Sequence, residues 1–549
     1  MNQSIDVLVK KHFWWVFFLI LIFALFSHLD YVPLKFEEPR RGVVALEMEM
    51  SGNYLTPTIN GESYYNKPPI YNWILVGLFK IFNSYEDWVL RLPTVLSFLL
   101  IAFINYKVVR KKLGDQVAVL SSLFFITSTD LLFYFSFQGE IDMFYSLLVY
   151  LQIISILWFF EKENYKALFL LSYFLVAVGV LTKGIPSIAF QGITLLAFFI
   201  YHRRFKQLFN PWHFVGFGLF VSIVGGYFYL YDQQNDAIPY MARLLTESTN
   251  RTVVEKSFFE SIIHLFTFPL ILLDILAPWL IIAPLFITKS ILAKAKQSQW
   301  IGYIALFFVS NIIIYWISPG SRDRYLYMFV PFVTTFFAFV VGNYSLENTK
   351  IPKLANGLLI FLIGIFVLAM PILPFVPPVS NVSGIYVVAV VLFILFAGLL
   401  FLYLKATTQK IFVFILFVVV ARIGFNFIVM PLRLEDEHRD NYKLHVSNML
   451  EIVGDQPFFL HSEIEHSEKK LPLSATIIPY QELAYNPFQL TYYIEKGRKE
   501  IFKFSNEKRK GVFYLSEKVF FETQPENKTT FYEFHLGKRG FNFVLFQYD

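Results

Sequence analysis

The segment between Phe36 and Arg91, which connects two long apolar stretches, holds the residue types best suited to chemistry. Two adjacent carboxylates, Glu37 and Glu38, are followed by Pro39 and then by Arg40. Adjacent carboxylates beside an arginine can act as a base, bind a sugar or hold a metal ion. A solvated cluster of charges beside a membrane helix is the alternative interpretation.

A lysine in a restricted turn lies further along the same segment, in the sequence NKPP. Because two prolines fix the backbone after Lys67, its ammonium group is a positioned charge of the kind that binds phosphate. An interfacial turn with a snorkelling lysine would give the same pattern. The segment predicts half of an active site, with its acids toward a sugar or an acceptor and Lys67 toward a phosphate.

Two short connections later in the chain also carry ionisable side chains. Acids in the sequence Glu140-Ile141-Asp142 are costly to place near hydrocarbon without a role. A helix cap at Asp142 is the structural alternative. Lys183 lies between two apolar stretches, where a helix break before Pro186 would also explain it.

Two further connections complete the set of candidates. The loop 232–267 contains Glu247, Arg251 and His264, and the segment 321–325 contains Arg324. Each of these signals is weak alone, but all are predicted to lie on one side of a membrane. Phosphate requires Arg or Lys, and a sugar hydroxyl or amine requires carboxylates, so this side could bind an anionic lipid headgroup.

The composition indicates a membrane protein. Of the 549 residues, 56% are hydrophobic and 19% aromatic, and the mean hydropathy is +0.53, above the usual range of soluble domains. The net charge of +6 comes from short clusters between apolar stretches, which is typical of membrane topology rather than of nucleic-acid binding. The chain has no cysteine, so disulfides and thiolate metal sites are excluded.

Thirteen apolar stretches are about long enough to span a bilayer. They cover residues 12–30, 92–109, 117–136, 143–160, 166–182, 184–201, 214–231, 268–288, 300–317, 325–342, 354–374, 382–404 and 410–430. With Lys10 and Lys11 in the cytoplasm, every inside loop carries at least two basic residues, as the positive-inside rule requires. The loops 31–91 and 232–267 and everything after Pro431 then lie outside.

The composition changes near residue 432. A polar, helical opening is followed by β-like stretches at 457–464, 511–521, 531–536 and 541–549, with a helical stretch at 486–504 between them. We therefore expect a transmembrane domain over 1–431 and a small soluble α+β domain over 432–549. The fold class predicted is an α-helical polytopic membrane protein with this appended domain.

Several function classes lose support. No protease, hydrolase, Walker or dinucleotide motif occurs in the required context. A secondary transporter would place ionisable residues near the bilayer midplane, whereas the predicted spans are almost free of charge, Asp274 and Arg422 being the clearest exceptions. This distribution favours chemistry at the membrane surface, with a substrate already activated as a lipid phosphate.

The first outer loop resembles that of the aminoarabinose transferase branch of the protein-mannosyltransferase-like glycosyltransferases. The motif residues that match are Glu38, Arg40, Glu47, Met48, Ser51, Gly52, Pro57, Asn60, Gly61, Lys67, Pro68, Pro69, Trp73, Arg91, Leu92 and Pro93. Weaker similarities continue at Asp142, Leu181–Gly184, Asn250-Arg251, Ala277–Trp279 and Arg324-Tyr325. Glu37 stands where the family has an aspartate.

The resemblance implies a GT-C membrane glycosyltransferase that moves a sugar from a polyprenyl-phosphate donor to a lipid A-like or other cell-envelope acceptor. The sugar implied is 4-amino-4-deoxy-L-arabinose or a related sugar. It further implies a multi-pass protein of the bacterial inner membrane with a cytoplasmic N-terminus and a periplasmic active site. The partners are then the bilayer, the lipid-linked donor and a lipid or glycan acceptor, with no nucleic acid.

The candidate site residues have three roles. They are Glu37, Glu38 and Asp142 for catalysis, Lys67, Arg40, Arg251, Arg324 and Lys183 for the donor phosphate, and Tyr65 and Tyr325 for substrate contact. No residue is assigned to a metal and no cofactor is certain, although the carboxylates could hold a divalent cation. A non-catalytic flippase for lipid-linked sugars, a protein O-mannosyltransferase-like enzyme and a membrane scaffold stay open as alternatives.

Overall fold

The computed structural model describes residues 2–249, 258–318, 321–348, 350–438, 441–470, 477–483, 486–536 and 541–549. The α-helices are α1 Asn2–Phe26, α2 Glu38–Ser51, α3 Ile70–Phe82, α4 Asp87–Leu113, α5 Asp115–Ile126, α6 Ile141–Glu161, α7 Tyr165–Lys183, α8 Pro186–Tyr201, α9 Pro211–Asp232, α10 Ala237–Thr249, α11 Phe258–Leu276, α12 Trp279–Ile282, α13 Lys289–Gln297, α14 Gln299–Trp316, α15 Val330–Glu347, α16 Lys353–Ala369, α17 Ile385–Lys405, α18 Lys410–Gly424, α19 Met430–His438, α20 Tyr442–Val453, α21 Phe488–Arg498 and α22 Lys518–Thr523.

The strands are short and few by comparison. They are β1 Thr58–Ile59, β2 Glu62–Ser63, β3 Phe458–Leu460, β4 Ile464–Lys470, β5 Ile477–Leu483, β6 Phe513–Glu517, β7 Lys528–Leu536 and β8 Phe541–Tyr548. Tighter or wider helical turns complete the list, at Asp130–Tyr134, Phe135–Phe137, Phe205–Phe209, Ala283–Phe286, Asp323–Phe329, Leu373–Phe375, Val379–Asn381 and Phe425–Val429.

The described residues contain nine helices long and apolar enough to cross a membrane, or up to eleven if two bent pairs are each one span. The bent pairs are α5 with its continuation to Phe137, which turns by 49°, and α11 with α12 and its continuation to Phe286, which turns by 107°. Two other predicted spans correspond to α8 and α16, which have only 16 and 17 residues. The multi-span helical fold is confirmed, but the count of thirteen is not.

Buried polar side chains form hydrogen bonds between the spanning helices, and these bonds are directional, unlike apolar packing. Asn105 on α4 donates to Ser121 on α5 at 2.6 Å and accepts a hydrogen bond from Tyr150 on α6 at 2.9 Å. Ser121 also contacts Thr335 on α15 at 2.7 Å. Such hydrogen bonds between helices stabilise bundles in lipid, because the unpaired groups would otherwise face hydrocarbon.

A second core lies at the end of the bundle that carries α2 and α3. It includes Val43 and Leu46 on α2, Leu75 on α3, and Leu490 and Ile494 on α21. The segment 36–91 and the C-terminal region therefore share one hydrophobic core. The division into domains 1–431 and 432–549 stays a prediction.

The C-terminal region is α+β, as predicted. Its main sheet has the strand order β3-β6-β8-β7, with β3 parallel to β6 and the other neighbours antiparallel. The stretch 511–521 is only partly a strand, because β6 ends at Glu517 and α22 follows. In α22, Phe521 packs against Phe546 of β8 with ring centroids 4.9 Å apart, which holds this helix on the sheet. The hairpin β4-β5 was not predicted.

Candidate active site

The start of α2 determines which charged side chains of the first outer segment meet. Glu37 is the residue before the first helical turn, and Pro39 occupies that turn, where its missing N–H costs nothing. Arg40 and Arg41 follow Glu37 at spacings of three and four residues, so the three side chains share one side of the helix. Glu38 points elsewhere.

This shared side of α2 forms one wall of a cavity of about 550 Å³, which we call the polar cavity. Seven of the ten predicted site residues line it: Glu37, Arg40, Lys67, Asp142, Lys183, Arg324 and Tyr325. They come from α2, the turn before α3, the start of α6, the end of α7 and the turn 323–329. The structure thus brings together residues that lie almost 300 positions apart in the chain.

Ion pairs organise the acids and cations of the polar cavity. Arg40 Nη1 lies 2.9 Å from Glu37 Oε2. On the opposite wall, Asp142 forms an ion pair with Lys183, and its second oxygen lies 3.6 Å from Nε of Arg324. Arg324 also pairs with Glu140, which is 1% exposed. Asp142 is therefore held between two cations.

Three arginines of the polar cavity keep buried nitrogens without a hydrogen-bond acceptor among the described residues. These atoms are Nε of Arg40, Nη1 of Arg41 and Nε of Arg324, the last of which has the Asp142 carboxylate at 3.6 Å, beyond hydrogen-bond distance. A buried donor without a partner costs on the order of 1–3 kcal/mol, and more when it is charged. Cationic donors that line one cavity and lack acceptors are suited to an anionic ligand that would supply them.

The carboxyl groups around the polar cavity differ in their affinity for protons. Burial raises the pKa of Glu37, but the positive charges of Arg40 and Arg41 outweigh it, and the net pKa is lowered. Burial and the charge of Asp142 raise the pKa of Glu140 to about 8, although Arg324 acts in the opposite direction. Glu37 is therefore ionised at neutral pH, and Glu140 holds its proton far more readily.

Glu38 does not line the polar cavity, although the sequence predicts a catalytic role for it. Its carboxylate pairs with Arg91 at 2.9 Å, and both side chains are only 1% exposed. It also accepts hydrogen bonds from the backbone N–H groups of Lys35, at 2.8 Å, and of Gly139. A Cβ at position 139 would meet Leu90 and the Glu38 carboxylate, so only glycine allows this approach. This geometry gives Glu38 a structural part, and its catalytic role stays a prediction.

Two other predicted residues lie away from the polar cavity or outside the described part of the chain. The ring of Tyr65 packs near that of Tyr240, with centroids 5.8 Å apart. Arg251, with Asn250, lies outside the described residues. Tyr240 reaches the turn at Lys67 all the same, because its hydroxyl donates to the Lys67 carbonyl at 2.7 Å.

Three polar residues that line the polar cavity are absent from the predicted set: Arg41, Asn66 and Arg322. The spacing of four residues between Glu37 and Arg41 indicates that Arg41 shares the side of Glu37, once the start of α2 at Glu38 is known. Asn66 and Arg322 lie in turns, where the sequence gives no periodic signal. Glu140 is recognisable from the sequence as an acid close to Asp142. Its contact with Arg324 is not, because it depends on the packing of α6 against the turn 323–329.

A large apolar groove adjoins the polar cavity. It has an empty volume of about 1500 Å³ and is lined by Ile185, Phe190 and Ile193 on one side and by Ile313, Ile314 and Ile317 on the other. Lys67, Lys183 and Tyr325 line both spaces. The arrangement is suited to a molecule with one anionic end and a long hydrocarbon chain.

Among the described residues, no three His, Cys, Asp or Glu side chains come close enough to hold a metal ion. The expectation that the carboxylates could hold a divalent cation therefore stays open.

Residues 66–227 match the family described as dolichyl-phosphate-mannose-protein mannosyltransferase. An undecaprenyl phosphate-α-4-amino-4-deoxy-L-arabinose arabinosyl transferase from Pseudomonas fluorescens is 22% identical over 56% of this chain and 53% of its own length. A second such transferase, from Proteus mirabilis, is 26% identical over 35% of this chain and 34% of its own. An uncharacterized protein of Aquifex aeolicus is 26% identical over 59% of this chain, and the match spans 62% of that relative.

The crystal structure of ArnT from Cupriavidus metallidurans bound to undecaprenyl phosphate is similar over 97% of this chain and 98% of that one, with a TM-score of 0.69 and 16% identity. The chain thus shares its fold with this crystal structure, and one part of it, residues 66–227, resembles the mannosyltransferase family. The two arabinosyl transferases are similar to this chain over 35% and 56% of its length.

Proposed function

We propose that this protein is a membrane glycosyltransferase that uses a polyprenyl-phosphate sugar as donor. The observation that carries the proposal is the junction of the polar cavity with the apolar groove, which share Lys67, Lys183 and Tyr325. A polyprenyl phosphate has the matching form, an anionic headgroup on a long hydrocarbon chain. The relatives named for undecaprenyl phosphate-linked aminoarabinose support the same donor class.

In the proposed complex the prenyl chain lies in the apolar groove and the phosphate lies in the polar cavity. Lys67 and the unsatisfied nitrogens of Arg40 and Arg41 bind the phosphate oxygens. As the bond between the sugar and the phosphate oxygen breaks, negative charge grows on the phosphate. Fixed cations in a site with little water stabilise that charge more in the transition state than in the bound donor. Arg251 is proposed to assist them.

Glu37 is the proposed contact for the acceptor. Its lowered pKa keeps it ionised at neutral pH, so it can remove a proton from an acceptor hydroxyl or orient an acceptor phosphate by accepting a hydrogen bond from its P–OH group. Asp142 is suited to a different role, because Lys183 and Arg324 already bind its carboxylate. We propose that Asp142 fixes those two cations beside the donor phosphate and that Tyr325 contacts the sugar.

The substrates and the sidedness are proposed from the resemblance of the first loop and from the charges of the loops. The donor sugar is proposed to be 4-amino-4-deoxy-L-arabinose or a related sugar, and the acceptor a lipid A-like molecule or another cell-envelope glycan. We propose a cytoplasmic N-terminus and a polar cavity on the periplasmic face of the bacterial inner membrane, supported by the basic clusters of the alternate predicted loops. The region 432–549 is proposed to lie on that face as a soluble domain.

A transfer assay tests the proposal. Purified protein is incubated with radiolabelled undecaprenyl-phosphate aminoarabinose and membrane acceptors, and labelled product is separated from donor. We expect transfer by the wild type and a loss of about 100-fold or more in Lys67→Ala, since this change removes a group used for transition-state charge. Lys80→Ala, which removes an exposed lysine of α3 that contacts Tyr54, is the matched control.

The outcomes separate the alternatives. Intact donor that crosses the bilayer without forming a product would indicate a flippase instead of a transferase. Near-full activity in Lys67→Ala would exclude the phosphate assignment, even if transfer itself occurs. Monodisperse elution and an unchanged melting temperature show that a loss of activity in Lys67→Ala does not come from unfolding.

A further inference from the structure

A second cavity, of about 670 Å³, is lined by Glu38, which follows the polar-cavity residue Glu37 in the chain. Together with Arg91 and Gln138, Glu38 forms one wall of this second cavity. Since Glu38 and Arg91 pair with each other, they contribute no net charge. Lys35 and Arg433 also line the second cavity, so its lining includes two further cationic side chains.

Arg433 is held by aromatic rings instead of by an acid. Its guanidinium lies 5.2 Å from the ring centroid of Tyr134 and 5.1 Å from that of Phe425. No carboxylate among the described side chains pairs with it. Stacking on aromatic faces fixes the plane of a guanidinium while its N–H groups stay available for an anion.

Arg422, within a membrane span, lies at the same Phe425 ring as Arg433. It is 1% exposed, its Nε has no acceptor among the described residues, and its Nη1 donates weakly to the Phe133 carbonyl at 3.4 Å. Its guanidinium lies 5.1 Å from the ring of Phe425, which it shares with Arg433, and 5.3 Å from that of Phe137. The positive charges of two arginines around one ring repel each other, and a nearby anion would offset that repulsion. A charged residue inside a membrane span also indicates a functional site.

We propose that the second cavity binds a lipid phosphate group, distinct from the donor phosphate. Lys35 and Arg433 are the direct contacts, and Arg422 adds positive charge from behind Phe137. The cavity lies at the end of the spans, where Tyr134 has the amphipathic character typical of the headgroup level. Two sources supply such a phosphate: the acceptor lipid of the proposed transfer, on which this assignment rests, or a phospholipid of the bilayer.

Binding of radiolabelled dioctanoyl phosphatidic acid tests the site without any need for transfer. The full-length protein is placed in phosphatidylcholine nanodiscs and saturated with undecaprenyl phosphate, so that the polar cavity is occupied. We expect Arg433→Gln and Lys35→Gln each to weaken binding about tenfold or more, as the loss of a hydrogen bond to a charged group predicts. Arg110→Gln, which removes an exposed arginine paired with Asp115, should not change it.

Two results would overturn the site. Phosphatidic acid could bind equally to the wild type and to both variants, or the two variants could lose undecaprenyl phosphate binding as Lys67→Gln does. The second result would make the cavity part of the donor site. Retained undecaprenyl phosphate binding in Arg433→Gln and Lys35→Gln shows that both variants are folded.

A kinetic arm identifies the source of the phosphate. If it belongs to the acceptor, Arg433→Gln raises KM for the acceptor about tenfold, leaves KM for the donor unchanged, and phosphatidic acid competes with the acceptor. If it belongs to a bilayer phospholipid, KM for the acceptor is unchanged although phosphatidic acid binding is lost. A complete absence of transfer in the wild type refutes the proposed function and leaves the binding result intact.

Discussion

The polar cavity and the wall around Glu38 lie side by side, are built from adjacent residues, and use their buried charges differently. In the wall, every nitrogen of Arg91 donates a hydrogen bond: two to Glu38 oxygens, one to the Leu29 carbonyl and one to that of Pro33. In the cavity, Arg41 is just as buried, but it donates to Tyr64 and its Nη1 has no acceptor among the described residues. Full satisfaction marks a structural pair, whereas an unsatisfied charged donor marks a place for a ligand.

The largest expected effect comes from breaking the wall. Glu38→Ala leaves the guanidinium of Arg91 buried without its carboxylate, so we expect a loss of about 3–5 kcal/mol in the free energy of unfolding. Thermal unfolding of the purified protein measures it. Glu37→Ala, which removes the neighbouring and half-exposed carboxylate, should change stability far less. A Glu38→Ala variant that folds normally and only loses activity would show that the wall is catalytic. The distinction between a structural wall and a ligand-binding polar cavity would then be wrong.

The next effect concerns the cavity itself. Arg41→Gln removes a buried cation from the proposed phosphate site, so we expect transfer to fall by about 100-fold. Tyr64→Phe is the matched control, because it removes the partner of Arg41 and keeps the charge. If Tyr64→Phe lowers the transfer rate as much as Arg41→Gln does, Arg41 is a structural residue like Arg91.

The contrast also explains what the sequence could predict. Apolar stretches locate the spanning helices, because a bilayer imposes a length on each of them. The spacing of Glu37 and Arg40 indicates that they share one side of a helix. Arg41 can be assigned to the same side once the residue at which the helix begins is known. Glu38 could not be separated from Glu37 in the same way, because its pairing depends on Arg91 and Gly139, which meet it only in the packed fold.

The start of α6 shows a similar limit. Asp142 and Glu140 are two residues apart, yet Asp142 takes Lys183 and Glu140 takes Arg324 as a partner. These contacts depend on how α7 and the turn 323–329 pack against α6. The number of spans is equally uncertain from the sequence, because bends of 49° and 107° interrupt apolar stretches that look continuous.

A smaller effect is expected where α2 packs against the C-terminal region. A Cβ at Gly42 would collide with the ring of Tyr492 and lie 2.7 Å from Leu90 Cδ1. Overpacking of this kind costs about 1–3 kcal/mol, so Gly42→Ala should lower the melting temperature while the folded protein keeps its kcat. Gly77→Ala on α3 has open space around it and should be neutral or slightly stabilising. A drop in kcat at unchanged stability would mean that this contact positions the neighbouring Arg41.

The last expected effect is a difference in pH dependence between the polar cavity and the contact of α2 with α21. Glu47 on α2 and Glu495 on α21 share a hydrogen bond, and burial raises both pKa values, helped for Glu495 by the charge of Glu47. The folded state therefore binds more protons than the unfolded state above about pH 4.5, and stability falls as the pH rises, by at most about 1.4 kcal/mol per pH unit for each carboxyl. Glu37 has a lowered pKa, so its contribution is present above that pH and is lost only on acidification.

Melting temperatures between pH 5 and pH 9 test this difference, with Glu495→Gln as the variant and Glu37→Gln as its control. Glu495→Gln keeps a hydrogen-bonding group of the same size and removes one titration, so we expect a flatter decline of stability with pH. Glu37→Gln should leave the decline unchanged over this range. An equal decline in the wild type and in Glu495→Gln would mean that the contact is not proton-linked, and the two faces of α2 would then differ only in whether their charged donors are satisfied.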